Sequence, residues 1–226
     1  MDNYLIEFRF QGKAKKEIKN LIYHIDKKFD LNSPNRAIPH ITLVGPFPTS
    51  NEKKLIKNFY EVCNASPFPS FKIKGYGHFD NSGVIYVNIN PSKKLDDFRW
   101  NLSCELRQYC ELKPHDYDRE FYFHATLAKK MSNSQFKQIK NYVDTITEPD
   151  FKHFVLRTTL LKNGKILREY DFLQRRMLSR SEALSSENYS RTIKLLKKYF
   201  NGGYNPDSRL KGNYIFRIYS FFKRLL

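Results

Sequence analysis

The stretches "AIPHITLVGP" (residues 37–46) and "FYFHATLAKK" (residues 121–130) share one pattern: a histidine, a small or aliphatic residue, a threonine and a leucine. The histidines are His40 and His124. Each stretch, with its apolar and β-branched residues, predicts a strand. A single histidine in a strand is usually structural, but two with identical threonine offsets indicate a shared function.

The spacing within each pattern fixes which side chains lie on one face of the strand. Successive residues of a strand point to opposite faces, so His40 and Thr42 lie on one side, and His124 and Thr126 do the same in the second strand. The intervening aliphatic residues take the other side and anchor each strand in a core. Each strand therefore offers an imidazole and a hydroxyl on a rigid element.

The order of elements around the two motifs repeats along the chain. Each half is predicted to run strand, helix, histidine strand, helix, strand, with the first histidine strand spanning residues 39–44 and ended by "GPFPTS". We therefore predict an α+β fold in which a duplicated β-α-β-α-β unit forms two lobes that exchange strands. A pseudo-twofold axis would relate the lobes, and the histidine strands would face each other across a central cleft.

Helix ends and one hairpin have their own local signals. Thr49 with Glu52, and Ser132 with Gln135, resemble capping boxes that open helices. Asn-Gly at 163–164, between the apolar runs "HFVLRTTLL" and "KILREYDFL", predicts a β-hairpin. The helical pattern that contains Trp100 favours packing of this side chain in the core.

Composition divides the chain into two segments. Residues 1–183 carry the duplicated unit, whereas residues 184–226 form a basic, amphipathic C-terminal extension. Such a segment docks on its own domain, contacts RNA, or makes a weak contact with an anionic membrane surface. The sequence does not separate these three roles.

The whole-chain composition restricts the partners and the compartment. The 226 residues carry a formal net charge of +17, which favours a polyanionic partner such as a nucleic acid. The three cysteines lack metal-ligand spacing and favour reduced thiols, and no signal peptide or membrane span is evident. We therefore expect a cytoplasmic protein without a transmembrane segment.

Two histidines facing one cleft suit acid–base chemistry, because an imidazole titrates near neutral pH. One takes a proton from attacking water and the other gives a proton to the leaving oxygen. The hydroxyls of Thr42 and Thr126 can donate hydrogen bonds to the oxygens of a phosphate. No third or fourth ligand stands at a metal-binding spacing, so we expect neither a metal nor another cofactor. Phosphodiester cleavage fits this set of groups best.

Three further residues near the motifs are candidates for substrate binding. Arg36 precedes the first motif and can clamp a phosphate. Phe47 and Tyr122 flank the motifs and can stack on a nucleobase. Each of the three is also compatible with an ordinary surface or packing role.

The motifs "PHITLVGPF" and "FYFHATLAKK" resemble those of the 2H phosphoesterases, and among them the RNA 2',3'-cyclic phosphodiesterases, also called 2'-5' RNA ligases. The resemblance implies a bilobal α+β fold and hydrolysis of an RNA 2',3'-cyclic phosphate to a 2'-phosphate. It implies that one histidine acts as base and the other as acid. We take His124 as the base and His40 as the acid. Lys129 stands where the family often has a basic, phosphate-binding residue. Phe123 departs from the proline that commonly precedes the second histidine.

Two alternative functions stay open at this point. The same chemistry would serve an enzyme that cleaves 2'-5'-linked or cyclic oligonucleotides. A protein of a different class, a non-catalytic RNA-binding module, would keep the cleft only as a phosphate pocket. Intact acid–base histidines favour an enzyme over a binding module.

Overall fold

The computed structural model describes residues 2–31 and 38–210. Its strands are β1 (Asn3–Arg9), β2 (His40–Pro48), β3 (Ser70–Phe79), β4 (Val84–Pro91), β5 (His124–Ala128), β6 (Asp150–Phe154), β7 (Arg157–Lys162), β8 (Lys165–Asp171) and β9 (Arg176–Leu178). Its α-helices are α1 (Gly12–Phe29), α2 (Glu52–Ala65), α3 (Lys93–Leu106), α4 (Asn133–Val143), α5 (Arg180–Leu184) and α6 (Ser186–Phe200). Short 3₁₀ turns cover Asp80–Ser82, Pro114–Tyr117 and Pro206–Leu210.

The strands of the described residues form two antiparallel sheets. One has the order β2-β1-β7-β8-β9 and the other β5-β4-β3-β6. β3, from the first half of the chain, pairs with β4, whereas β7, from the second half, pairs with β1. The two halves therefore exchange strands, and the predicted α+β fold is confirmed. Both histidine strands, β2 and β5, are sheet edges, and they lie against each other.

Alternation along β1 separates the core from the cleft. Ile6 and Phe8 are fully buried, and the ring of Phe8 meets Phe71 of β3 edge-on with 5.4 Å between centroids. Glu7 and Arg9 point to the opposite face, which they share with His40. The same strand thus joins the sheets through its apolar side chains and supplies charged side chains to the cleft.

Two strand predictions need correction. β2 does not end before "GPFPTS" but continues to Pro48, with irregular pairing to β1. Gly45 permits this continuation: its φ is +104°, and a Cβ there would lie 2.8 Å from the ring of Phe47. The run "HFVLRTTLL" is divided between β6 and β7, which belong to different sheets, while the hairpin at Asn163 and Gly164 forms between β7 and β8.

One of the two predicted capping boxes is confirmed. At α4 the Ser132 side chain accepts the N–H of Gln135, and the Gln135 side chain accepts the N–H of Ser132. At α2 the predicted box is wrong, because Asn51 is the N-cap and accepts the N–H of Lys54. Glu52 instead accepts a hydrogen bond from the Tyr4 hydroxyl at 2.8 Å.

The beginning of the C-terminal extension is docked on its own domain. Thr192 of α6 is fully buried, hydrogen-bonded to Asp171 of β8 and to Arg157 of β7. Arg157 is also buried and forms ion pairs with Glu169 and Asp171. The second amphipathic part of the extension, residues 211–226, lies outside the described residues. No helix in the described part of the chain has the length and apolar character to cross a membrane.

The imidazole of His153 on β6 is enclosed by aromatic rings. Its ring centroid lies 5.8 Å from Phe8, 6.3 Å from Phe10 and 5.5 Å from Phe71. The buried Nε2 atom has no hydrogen-bond partner within residues 2–31 and 38–210. Burial disfavours the charged imidazolium and lowers the pKa of His153 to about 4.

His153→Phe should make the free energy of unfolding less dependent on pH. The pKa of His153 is lower in the folded than in the unfolded protein, so the wild type loses stability as pH falls below 6.5 towards 4. Between pH 7 and pH 5 the loss from this group is about 2 kcal/mol. Urea unfolding at both pH values measures it, with the exposed His24→Phe as control. An equal loss in wild type and His153→Phe would contradict the assignment.

Candidate active site

The two motif histidines are held in the same way. Nδ1 of His40 lies 2.8 Å from the carbonyl oxygen of Ile38, and Nδ1 of His124 lies 2.9 Å from that of Tyr122. A carbonyl only accepts hydrogen bonds, so Nδ1 carries the proton in each ring. Each neutral histidine therefore keeps the lone pair of Nε2 for proton transfer. Local backbone geometry, two residues before each histidine, sets this tautomer.

The threonines occupy equivalent positions in the two sheets. Thr42 stands opposite Glu7 in the β1–β2 pair, and Thr126 stands opposite Tyr86 in the β4–β5 pair. Both threonines are half-buried. Neither hydroxyl has a hydrogen-bond partner in the described part of the chain, so both are available to a ligand.

The surroundings of His40 are charged. Arg9 is its cross-strand partner on β1, and the Nε2 atom of His40 lies 3.8 Å from the Glu7 carboxylate. Glu7 in turn accepts a hydrogen bond from Nε of Arg9 at 2.5 Å. A protonated His40 therefore has a counter-ion in place. Glu7 and Arg9 were not predicted as site residues from the sequence. The apolar alternation of β1 nevertheless places both on the side of the sheet that carries His40.

The surroundings of His124 are aromatic. Its ring centroid lies 5.1 Å from that of Phe79 and 5.2 Å from that of Tyr86. Gly77 makes room for the Tyr86 ring, since a Cβ there would lie 2.4 Å from it. Burial lowers the pKa of His124, the hydrogen bond to Tyr122 opposes this, and the nearby charge of His40 lowers the pKa further. The lowered pKa of His124 favours its neutral form at pH 7.

Arg99, buried on α3, connects the two motif segments. Its Nε donates to the carbonyl of Leu43 on β2, and its terminal nitrogens donate to carbonyls of His115, Asp116 and Asp118. The guanidinium also lies 3.9 Å from the ring centroid of Phe121, just before the second motif. Burial lowers the pKa of Arg99 to about 10, so it stays charged at neutral pH. The sequence contains a signal for the burial of Arg99, because this residue falls on the same helical stripe as Leu95 and Leu102.

The predicted substrate-binding residues differ in their placement. Tyr122, two residues before His124, is 74% exposed, so its ring is open to solvent. Phe47 is fully buried and stacks on Tyr4 at 6.2 Å between ring centroids. Its ring is not exposed to a nucleobase, so the predicted stacking role is wrong. Lys129 is exposed beyond the end of β5, about 16 Å along the strand from His124. Arg36 lies outside the described residues.

Within residues 2–31 and 38–210, no three histidine, cysteine, aspartate or glutamate side chains are grouped to hold a metal ion. The donors at the site are two imidazoles, two hydroxyls and one carboxylate already engaged by Arg9. They suit proton transfer and hydrogen bonding to an anion.

The family model of the 2'-5' RNA ligase superfamily matches residues 13–163, which include both histidine motifs. The chain belongs to the 2'-5' RNA ligase superfamily. The resemblance to the 2H phosphoesterases that the two motifs carried is thereby confirmed.

Two solved structures are similar to the chain at low sequence identity. TT0787 of Thermus thermophilus is 13% identical, with a TM-score of 0.50, over 75% of this chain and 97% of that one. E. coli LigT complexed with 3'-AMP is 18% identical, with a TM-score of 0.47, over 78% and 92%. At 13% identity the likeness to TT0787 concerns the fold alone.

One curated protein shares a short segment with the chain. It is an NADH-quinone oxidoreductase component of Nocardioides sp. (strain ATCC BAA-499 / JS614), 27% identical over 67 residues, which are 29% of this chain. The chain spans only 15% of the length of that protein. This short match carries no functional assignment.

Phe79→Ala should raise the pKa of His124 towards 6.5, because removing the ring admits water to an imidazole whose charged form burial now disfavours. NMR titration of the histidine ring protons measures this directly. Phe79→Leu keeps an apolar cover and serves as the matched control, with a smaller rise. An unchanged pKa in Phe79→Ala would show that Phe79 does not contribute to the burial of His124.

Proposed function

We propose that this protein is a metal-independent phosphodiesterase that hydrolyses RNA 2',3'-cyclic phosphate ends to 2'-phosphates. The observation that carries the proposal is the matched pair of histidines, each with Nδ1 engaged by a backbone carbonyl and Nε2 left for proton transfer. A hydroxyl two residues along each strand accompanies each imidazole. Membership of the 2'-5' RNA ligase superfamily supports a phosphodiester substrate.

His124 is the proposed general base. Its aromatic surroundings lower its pKa, so the imidazole is neutral at pH 7 and can accept a proton at Nε2. It takes that proton from a water molecule as the water oxygen forms a bond to phosphorus. A base must be unprotonated to act, and a lowered pKa keeps His124 active below pH 6.5.

His40 is the proposed general acid. Its Nε2 gives a proton to the 3'-oxygen as the bond between this oxygen and phosphorus breaks, which leaves a 2'-phosphate and a free 3'-hydroxyl. The Glu7 carboxylate, 3.8 Å from Nε2, is the counter-ion of the protonated ring. Charged neighbours around one histidine and aromatic neighbours around the other therefore support the division of roles.

Thr42 and Thr126 are proposed to bind the non-bridging phosphate oxygens. Their hydroxyls have no partner among the described residues and face the cleft with the histidines. Tyr122 is proposed to stack on the base next to the cyclic phosphate. Lys129 and Arg36, both basic, are proposed to contact phosphates of the RNA. The unpaired thiols of all three cysteines favour the cytoplasm as the location of the enzyme.

His40→Ala and His124→Ala should each reduce turnover of an RNA ending in a 2',3'-cyclic phosphate by about 10²-fold or more, because general acid–base catalysis typically contributes 10²–10⁴. The assay contains EDTA and follows formation of the 2'-phosphate. His24→Ala, an exposed histidine on α1, is the matched control and should keep full activity.

The same assay separates the alternatives. Failure of the wild type to open the cyclic phosphate would reject this substrate, and 2'-5'-linked and cyclic oligonucleotides would then be tested with the same variants. RNA binding without turnover of any of the three would assign the chain to the non-catalytic binding modules. Loss of activity in EDTA would contradict the metal-independent mechanism.

Tyr122→Ala should raise KM for the RNA while leaving kcat nearly unchanged, since stacking on one base contributes about 1–3 kcal/mol of binding. Tyr122→Phe retains the ring and should behave like the wild type. The backbone carbonyl that holds His124 is preserved in both variants. A fall in kcat with constant KM would reject the stacking role.

A further inference from the structure

We propose that Arg9, oriented by Glu7, binds the substrate phosphate next to His40; this inference rests on the proposed function. Neither residue belongs to the histidine motifs, and both lie on β1, the strand paired with β2. Arg9 would supply the positive charge that two neutral threonine hydroxyls lack.

The register of the sheet puts Arg9 at the site. Arg9 is the cross-strand partner of His40, and Glu7 is the partner of Thr42. Directly paired residues of antiparallel strands share a face, with Cβ atoms about 5 Å apart. The Arg9 side chain therefore stands on the cleft face beside the imidazole, within reach of a phosphate held by Thr42.

The guanidinium is fixed on one side and available on the other. Its Nε donates to Oε1 of Glu7 at 2.5 Å, which limits the rotation of the side chain. Its two terminal nitrogens have no hydrogen-bond partner within residues 2–31 and 38–210. These nitrogens form the planar fork that binds two phosphate oxygens at once.

Exposure distinguishes the roles of the two charged groups. The Glu7 side chain is 4% exposed and that of Arg9 is 22% exposed, so the cation is the more accessible partner. Glu7 contacts Arg9 through Oε1 and approaches His40 through Oε2. One buried carboxylate thus contacts Arg9 and lies close to His40, and the phosphate would meet Arg9 rather than Glu7.

The equivalent cross-strand positions of the second lobe do not carry an arginine. There the partners of His124 and Thr126 are Asn88 and Tyr86, which carry no positive charge. The Asn88 amide donates to the carbonyl of Tyr76 at 2.8 Å and is already engaged. Charge recognition of the phosphate would therefore come from the first lobe, on the side of the proposed acid.

Arg9 should stabilise the transition state more than the ground state. The cyclic phosphate carries one negative charge, and attack of water places additional charge on the non-bridging oxygens. A fixed guanidinium stabilises that added charge, so its loss lowers kcat as well as binding. Arg9 is a catalytic residue in this proposal, and Glu7 is a positioning residue.

The test compares Arg9→Gln, Arg9→Lys and Glu7→Gln with Arg191→Gln, which removes one positive charge from the exposed face of α6. We expect Arg9→Gln to lower kcat/KM on the cyclic phosphate RNA by about 10²-fold, mainly in kcat. Arg9→Lys should recover only part of this, because an ammonium lacks the fork. Glu7→Gln keeps an oxygen acceptor for Nε and should lose less than Arg9→Gln. Arg191→Gln should match the wild type.

Inorganic phosphate gives a readout that does not need turnover. Its binding is followed by NMR through the ring signals of His40 and His124, and Arg9→Gln should weaken it by about tenfold while Arg191→Gln leaves it unchanged. Weaker phosphate binding in Arg9→Gln would support the phosphate-binding role of Arg9 even if the wild type hydrolysed none of the cyclic phosphates tested. That failure of hydrolysis would reject only the proposed function. Equal phosphate affinity in Arg9→Gln and wild type, or no phosphate binding to the wild type, would overturn the proposal.

Discussion

Neither half of this chain completes its own sheet. β1 and β2 need β7 from the second half, and β4 and β5 need β3 from the first. This exchange fixes the relative position of the halves through backbone hydrogen bonds, and it makes β2 and β5 the edge strands that meet at the cleft. Two histidines far apart in sequence are brought together as a result, each on a strand whose opposite face is anchored in the core.

The pseudo-symmetry of the backbone contrasts with the asymmetry of the side chains. Both histidines use the same Nδ1 hydrogen bond, which sets the tautomer without reference to the neighbours. The neighbours then differ: Glu7 and Arg9 surround one ring, Phe79 and Tyr86 the other. A duplicated frame can in this way give two identical residue types different electrostatic environments, and acid–base chemistry needs such a difference.

Most patterns that depend on local chain geometry were predictable from the sequence, although the capping box at Thr49 was not. Patterns that depend on side-chain orientation across elements were not predictable. The element order, the Ser132 capping box and the hairpin after β7 were predicted because each is encoded within a few residues. Trp100 was expected in the core, yet its neighbour Arg99 is the fully buried residue. Arg99 can be buried because its guanidinium donates hydrogen bonds to backbone carbonyls of a loop distant in sequence. Phe47 was predicted to stack on a nucleobase because the strand was expected to end at residue 44. In the longer β2, Phe47 has the same alternation as the buried Ile41 and Leu43 and lies in the core.

The buried contact between α6 and the five-stranded sheet has an evolutionary consequence. Arg157 binds Glu169, Asp171 and Thr192 in one network shielded from water. Loss of Arg157 alone leaves two buried carboxylates without their cation and lowers the free energy of unfolding by about 3–5 kcal/mol, whereas joint replacement of such an ionic set by apolar residues is often neutral. Arg157 is therefore free to change together with Glu169 and Asp171 but not alone, and these three positions should vary as a group among proteins descended from the same ancestor.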